Sequence, residues 1–338
     1  MELHLRAEIL LTRKCNLRCN YCGLVDNERD ELTLEQWKKG FQLLFDVLNV
    51  KNLCLLGGEP LVLGIDYLCD LAKFLAGFKD RQFAFVSNCM GLTEKGIGRL
   101  VDSGVNTWVT SIDAIGDANL SQSQRIKSQQ GLKTLLKFQK YGLKNLMGVI
   151  TISKRNIKHV IPTVNALLEY GIIPNVEIVH YKRGPYNIFC APRDILKEDL
   201  LDHSVFAEVQ ELSAQLIELS GKHNFFQVPE FFALWADSKK SLDLKWNCKH
   251  MTFIAVDSNG CMGVCDDFFP PEVAKINILD LENITKDEFK KVWLKNCPTC
   301  PGCFMSSHVT SDLYVDNMLS ARSAGIFNAN MTKALEYK

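Results

Sequence analysis

Between Leu5 and about Lys182 the chain alternates six short apolar runs with segments whose apolar residues recur at helical spacing, and this alternation restricts the fold more than any other feature. The runs Glu8–Thr12, Asn52–Leu56, Gln82–Val86, Thr107–Ser111, Asn145–Ile152 and Asn175–His180 predict strands. Thr33–Leu48, Ile65–Ala76, Thr93–Ser103, Ser128–Tyr141 and Ile157–Tyr170 predict the helices between them, several opened by a Ser, Thr or Asp cap. Such alternation implies a parallel sheet with its site in the loops at the strand C-termini. Gly104, Gly142 and Gly171 fall after helices and before strands, where a left-handed C-cap is needed.

Beyond Gly184-Pro185 the pattern changes. A helix is predicted from about His203 to His223 and a second helical segment near Glu230–Leu242, followed by a cysteine-rich stretch from Cys248 to Cys303. Thr252–Val256 and Met262–Val264 flank the turn sequence Asp257-Ser258-Asn259-Gly260 and read as a β-hairpin. Phe225, Phe226, Phe231, Phe232 and Trp235 are spaced as helix-packing residues that would join two domains. The tail from about Asp312 reads as helical and polar. With 338 residues the chain exceeds the length at which one core stops growing, so a large domain and a smaller one are expected.

Thirty-nine basic residues balance thirty-nine acidic ones, so no global field draws the chain to nucleic acid or to an anionic membrane. No apolar stretch approaches the roughly 18 residues that span a bilayer, and Met1-Glu2-Leu3-His4 opens no leader pattern. A cytoplasmic protein without nucleic-acid or membrane partners is expected. The thirteen cysteines are odd in number and clustered, which points to thiolate ligands in a reducing compartment rather than to disulfides.

Cys15, Cys19 and Cys22 follow the first predicted strand with the spacing Cys-x3-Cys-x2-Cys. Three thiolates on one loop can hold three irons of a four-iron four-sulfur cluster and leave the fourth iron open. A structural zinc site would instead want paired Cys-x2-Cys knuckles and a closed tetrahedral set. This loop, with Tyr21 before its last cysteine, resembles that of the radical S-adenosylmethionine (SAM) superfamily. Gly57-Gly58-Glu59-Pro60, after the second strand, resembles the segment that binds the methionine amino group of SAM in that family. Glycines let backbone approach a ligand closely, and a carboxylate suits an ammonium group. Ser87-Asn88 and Ser111-Ile112-Asp113 stand where the family contacts the ribose and carboxylate of SAM, Arg125 corresponds to its carboxylate-binding arginine, and Asn156 to a position near the adenosine. A turn or cap role is the competing reading for these weaker matches.

The resemblance implies a partial (β/α)6 TIM-like barrel over residues 1–200, a helical connector over 201–246, an auxiliary domain over 247–310 and a helical tail over 311–338. Cys248, Gly260 and Cys265 resemble the Cys-x(9–15)-Gly-x4-Cys signature of SPASM and Twitch extensions. Cys297, Cys300 and Cys303 follow at Cys-x2-Cys-x2-Cys, and no cysteine lies beyond them, which points to the shorter Twitch type with one auxiliary four-iron four-sulfur cluster. Cys248 and Cys265 would supply two ligands and two of the other three the rest; Cys261 is a weaker candidate. Zinc on the same cysteines is the competing reading. Cys54, Cys69, Cys89 and Cys190 read as small core residues.

Cys265-Asp266-Asp267-Phe268 resembles the Cys-Asp-Phe sequence of anaerobic sulfatase-maturing enzymes, which implies Asp266 as the base of a substrate oxidation, against a plain turn-capping role. The resemblance further implies bound SAM, a flavodoxin- or ferredoxin-like electron donor, air sensitivity, and abstraction of hydrogen from an unactivated C–H bond. The cluster loop begins too early for an N-terminal peptide-recognition domain, so a sugar- or aminocyclitol-like small molecule is the expected substrate. A peptide or protein substrate is the runner-up, followed by decarboxylation or epimerisation. An iron–sulfur or zinc protein without catalysis is the alternative of another class.

Overall fold

The strands owe their formation to alternating residues that serve two different faces. The computed structural model describes residues 4–24, 30–116, 120–236 and 245–332. In it β1 (Arg6–Leu10), β2 (Asn52–Leu56), β3 (Gln82–Ser87), β4 (Thr107–Ser111), β5 (Asn145–Ile152) and β6 (Ile173–Ile178) run parallel in the order of the sequence. On β5, Leu146, Ile150 and Ile152 are buried in the main core, whereas Asn145, Met147, Val149 and Thr151 line an interior cavity. The period of two in side-chain direction makes one face a core and the other a lumen.

The outer face is covered by α1 (Leu34–Leu48), α2 (Ile65–Ala76), α3 (Glu94–Asp102), α4 (Gln122–Lys140) and α5 (Val160–Glu169). Thr33 and Ser121 each close a capping box at the start of α1 and α4. Trp37, Phe41, Leu44 and Leu48 of α1 recur at helical spacing and are wholly buried. The result is an α/β fold whose first six strands run parallel as a partial TIM-like barrel, as expected, within a sheet of eight strands.

Several boundaries differ from expectation, four of them instructively. β1 starts at Arg6 because Arg6 and Glu8 turn into the lumen, where their charge does not interrupt the strand. α4 starts at Gln122, six residues early, because its first turns present the polar Gln124, Lys127 and Ser128 inward in place of an apolar stripe. β6 admits Pro174, and Gln227 covers its free edge: the side chain accepts from Val176 N at 3.0 Å and donates to Val176 O at 3.1 Å. The second helical segment ends at Ala236 within the described residues; 237–244 lie outside them.

The expected hairpin is present as β7 (Phe253–Val256) and β8 (Met262–Gly263), yet it forms no separate sheet. β7 pairs parallel with β1, from Arg6 opposite Phe253 to Ile9 opposite Val256. The remaining helices are α6 (Phe206–Lys222), α7 (Pro229–Ala236), α8 (Pro271–Ala274), α9 (Lys286–Asn296), α10 (Ser306–Val315) and α11 (Ala321–Thr332). The aromatic group near α7 does tie segments together, since Phe231 stacks on Phe304, next to Cys303, at 5.2 Å between ring centroids. The tail is not uniformly polar surface: α10 is buried along most of its length.

Candidate active site

The loop after β1 carries Cys15, Cys19 and Cys22 as free, half-buried thiols that line one end of a cavity of about 410 Å3. The loop is fixed on three sides. Gly58 N donates to Thr12 O at 2.7 Å and Glu59 N to Lys14 O at 2.8 Å. Arg13 makes a buried two-pronged ion pair with Asp257 in the β7–β8 turn, at 2.9 and 2.5 Å. On the far side Gly23 N donates to Phe189 O at 2.9 Å and Ala191 N to Tyr21 O at 3.1 Å. Burial pushes the Cys22 thiol up to about 11, so the thiolate needs a cation to persist there. Three converging thiols without disulfides fit an iron–sulfur cluster.

Gly57 and Gly58 serve the loop as much as any ligand: a Cβ on Gly57 would collide with the Thr12 carbonyl oxygen and one on Gly58 with that of Lys14. The glycine pair is thus what lets the β2 segment lie flat on the cysteine loop. Glu59 is buried, and its carboxylate accepts from Leu61 N at 2.9 Å, Ser87 Oγ at 2.8 Å and Asn88 N at 2.6 Å. Burial pushes its pKa up while those bonds hold it down. Pro60 opens the following 3₁₀ turn. Asn88 Nδ2 donates to Asn16 Oδ1 at 2.8 Å, so the third strand's loop also touches the cysteine loop.

Ser111 lines the cavity, and Asp113 lies wholly buried behind it. Asp113 pairs with Lys127 Nζ at 2.9 Å, and Lys127 donates to Tyr21 OH at 2.5 Å. Burial opposes the lysine's charge, but Asp113, Tyr21 and Cys19 together outweigh it and raise the pKa, so a fixed cation faces the lumen. Asn156 Nδ2 donates to Asp113 O at 2.7 Å and to Thr151 O at 2.9 Å, which fixes the β4 and β5 ends together. Arg125, expected at the SAM carboxylate, is exposed on α4 and is not among the residues lining the cavity. Lys127, two positions on, turns inward in its place. Gln124, Lys127, Ser128 and Leu135 share one buried helix face, and that spacing is the signal that could have singled out Lys127.

The other end of the cavity carries Arg6, Glu8, Glu177, His180 and Asp266. Asp266 is 4% exposed, and burial followed by the facing Glu8 carboxyl drives its pKa well up. Glu177 accepts from Ser306 N at 3.1 Å and from its hydroxyl, and burial lifts its pKa to about 7. His180 is lowered to about 4 by burial and by Arg183 and His308.

Residues 9–167 match the Radical SAM superfamily model. The chain carries a radical SAM domain. The mitochondrial GTP 3',8-cyclase of Arabidopsis thaliana is 31% identical over 131 residues, which cover 37% of this chain and 33% of that protein. The GTP 3',8-cyclase of Helicobacter pylori is 28% identical over 178 residues, 50% of this chain and 53% of that protein. The chain thus spans between a third and about half of these curated relatives. Among solved structures, native anSMEcpe with bound AdoMet and Cp18Cys peptide superposes with a TM-score of 0.57 at 17% identity, over 98% of both chains. At that identity the likeness speaks for the fold.

Beside the radical SAM domain, the five C-terminal cysteines gather. Cys297 Sγ donates to Cys248 O at 3.3 Å, and burial raises the thiol pKa of Cys265, Cys300 and Cys303, with a smaller contribution to each from the nearby Cys248. Cys303 is held by Trp246, whose N–H donates to Cys303 O at 2.5 Å. Asp312 of α10, which the sequence offered no reason to single out, accepts from Trp246 Nε1 at 2.8 Å and Lys249 N at 2.9 Å and so fixes the Cys248 loop. Cys261 stands apart at the β7–β8 turn, where its carbonyl accepts from Asp257 N. Cys190, expected in the core, lines the cavity between Cys22 and Cys303, and both raise its pKa after burial and the neighbouring aspartates. Asp267 fixes this strap, its carboxylate accepting from Phe189 N at 2.8 Å and Asn187 Nδ2 at 2.7 Å. Cys265, Asp266 and His308 present ligand atoms within 4.8 Å of one another. Among the described residues no helix is long and apolar enough to cross a membrane.

Proposed function

We propose that this chain is a radical SAM enzyme that cleaves SAM reductively and oxidises a small molecule by two electrons, with help from one auxiliary cluster. The observation that carries the proposal is one cavity bounded by the three-cysteine loop, by the Gly57–Pro60 segment packed on that loop, and by the acids around Asp266. Cys15, Cys19 and Cys22 would hold the first cluster; Cys248, Cys265 and two of Cys297, Cys300 and Cys303 would hold the auxiliary one. Bound there, the first would supply the electron that splits SAM into methionine and a hydrogen-abstracting 5'-deoxyadenosyl radical, and the second would accept the electron left on the substrate.

The protein's own residues do the rest. Gly57–Pro60, Ser87, Asn88 and Ser111 would hold SAM against the cysteine loop, with Asp113 acting behind them through Lys127. Lys127 would offer its carboxylate a cation that Tyr21 and Asp113 keep in place. Apolar walls such as Val109, Val149 and Ile178 exclude water from the reacting carbon. Asp266 would take the proton from a substrate hydroxyl or amine once the adjacent C–H hydrogen is gone. An electron donor of flavodoxin or ferredoxin type would reduce the enzyme.

A peptide substrate is the second reading, favoured by the near-complete superposition on anSMEcpe, whose described form contains a peptide. A polyanion such as GTP, named for both curated relatives, fits poorly beside the carboxyls of Glu8, Glu177 and Asp266. Anaerobic incubation with SAM and dithionite tests the proposal. 5'-Deoxyadenosine is expected, and its absence from protein with full iron content would refute radical chemistry. Asp266→Asn should still release 5'-deoxyadenosine and lose product; unchanged product would remove Asp266 from the mechanism.

A further inference from the structure

A second cavity, of about 660 Å3, lies beside the lumen at the C-terminal end of β6, the end of the strands at which a barrel places its site. Ile178, Val179 and His180 line both cavities, so the end of this strand is their common wall. None of the charged residues of the second cavity takes part in the chemistry proposed above. Its charge is one-sided because the segment from Arg193 to Asp202 sorts its ions. Glu198 and Asp199 turn to Arg155, at 3.8 and 2.8 Å, and Asp202 pairs with Lys154. Arg193 and Lys197 line the cavity instead, and neither has an ion-pair partner among the described residues.

Arg183 lines the cavity as well, and among its lining carboxylates Asp202 is already committed to Lys154, which leaves Asp194. The two guanidiniums are held in place by the chain. Lys182 N donates to Ala191 O at 2.8 Å and joins the two arms that carry them, and Arg183 and Arg193 lie against the same Tyr181 ring, at 4.5 and 4.9 Å from its centroid. Like charges gathered in a concavity repel one another and focus a positive field, which a bound anion relieves. That field reaches the common wall: burial, then Arg183 and His308, keep His180 neutral. Guanidinium forks match the oxygens of carboxylates and phosphates, and an ammonium adds a mobile point charge.

We infer that the second cavity is a subsite for an anionic group of the substrate, a carboxylate or a phosphate ester, held by Arg193 and Lys197 while the reacting carbon lies across the β6 end in the lumen. The inference rests on the enzymatic reading above and adds the chemical class of substrate to it: a molecule with its negative charge at one end, away from the carboxyls of the lumen. A sugar phosphate and an acidic side chain of a peptide would bring the same kind of group, and the test separates these sources.

Isothermal titration of the anaerobic, reconstituted protein with SAM present would compare two matched pairs: glucose 6-phosphate against glucose, and N-acetyl-aspartate amide against N-acetyl-asparagine amide. Inorganic phosphate and acetate serve as the bare anions. The batch used is one already seen to release 5'-deoxyadenosine, so that a failure here leaves the enzymatic reading standing. The anionic member of at least one pair should bind about ten times or more tighter than its neutral partner, and tighter than its bare anion, the first pair indicating a small molecule and the second a peptide. In the double variant Arg193→Gln/Lys197→Gln, both exposed positions, that ratio should fall to near one while 5'-deoxyadenosine release without added substrate stays at the wild-type level. Equal binding within both pairs, no binding by either organic anion, a bare anion binding as tightly as its organic counterpart, or a ratio unchanged in the double variant would overturn the inference.

Discussion

Lys127 shows most directly how one side chain ties stability to chemistry in this molecule. Its ammonium and the Asp113 carboxylate are 3% and 0% exposed, so each depends on the other to remain charged. Lys127→Met would leave a buried carboxylate without its cation, a loss of about 3–5 kcal/mol, and a chemical denaturation midpoint unchanged from wild type would show that the pair is not needed. Glu177 carries a pH dependence of its own. Its folded value of about 7 exceeds the free 4.5, so the folded protein holds that proton more tightly; this stability is complete below about 4.5 and is lost as the pH rises through about 7. Glu177→Gln should therefore gain in Tm relative to wild type between acidic and neutral pH, and parallel Tm curves would contradict the burial argument. At this scale the sequence was partly legible. The cysteines and the Gly57–Pro60 segment carry their chemistry in spacing, whereas Lys127, Glu8 and Asp312 carry theirs in direction. A lysine on a polar helix or a glutamate in a strand looks like surface until the face it occupies is known.

Among the elements, the contact between the β2 loop and the β1 loop matters most for the candidate site. Gly58→Ala would force a methyl group against the Lys14 and Arg13 carbonyl oxygens, which are backbone and cannot swing aside. The substitution should displace the cysteine loop and cut bound iron after reconstitution, at a stability cost of about 1–3 kcal/mol; full iron loading would show that the loop does not depend on this packing. The loop is held from its other side by Arg13 and Asp257, 244 positions apart. Breaking that pair with Arg13→Met should cost about 3–5 kcal/mol by denaturant melts, and a cost below about 1 kcal/mol would reduce it to an ordinary surface pair. β2, β4, β5 and α2 were readable to the residue because apolar pattern and turn signals agree there. β6 and α4 were not: Gln227 covers an edge strand from 51 positions away, and polar side chains pointing inward erased the helical stripe that would have marked the start of α4.

Across the whole molecule, the cysteine-rich segment is joined to the barrel rather than appended to it. The hairpin was legible from its turn sequence, but its pairing with β1 was not, because partner choice in a parallel sheet leaves no local mark. That pairing brings Asp266 into the lumen wall, and Asp267 then holds the 187–190 strap against the Cys22 loop. Cys190 lines that lumen within electrostatic reach of Cys22 on one side and Cys303 of the C-terminal group on the other. The most direct measurement is iron and acid-labile sulfide per chain after anaerobic reconstitution, on wild type and on the Cys15/Cys19/Cys22 triple alanine variant, together with 5'-deoxyadenosine release. About eight irons falling to about four, with loss of 5'-deoxyadenosine, is the predicted result. Iron that stays at the wild-type level in the variant, or cleavage of SAM that persists without the three cysteines, would contradict the assignment of that loop as the radical centre.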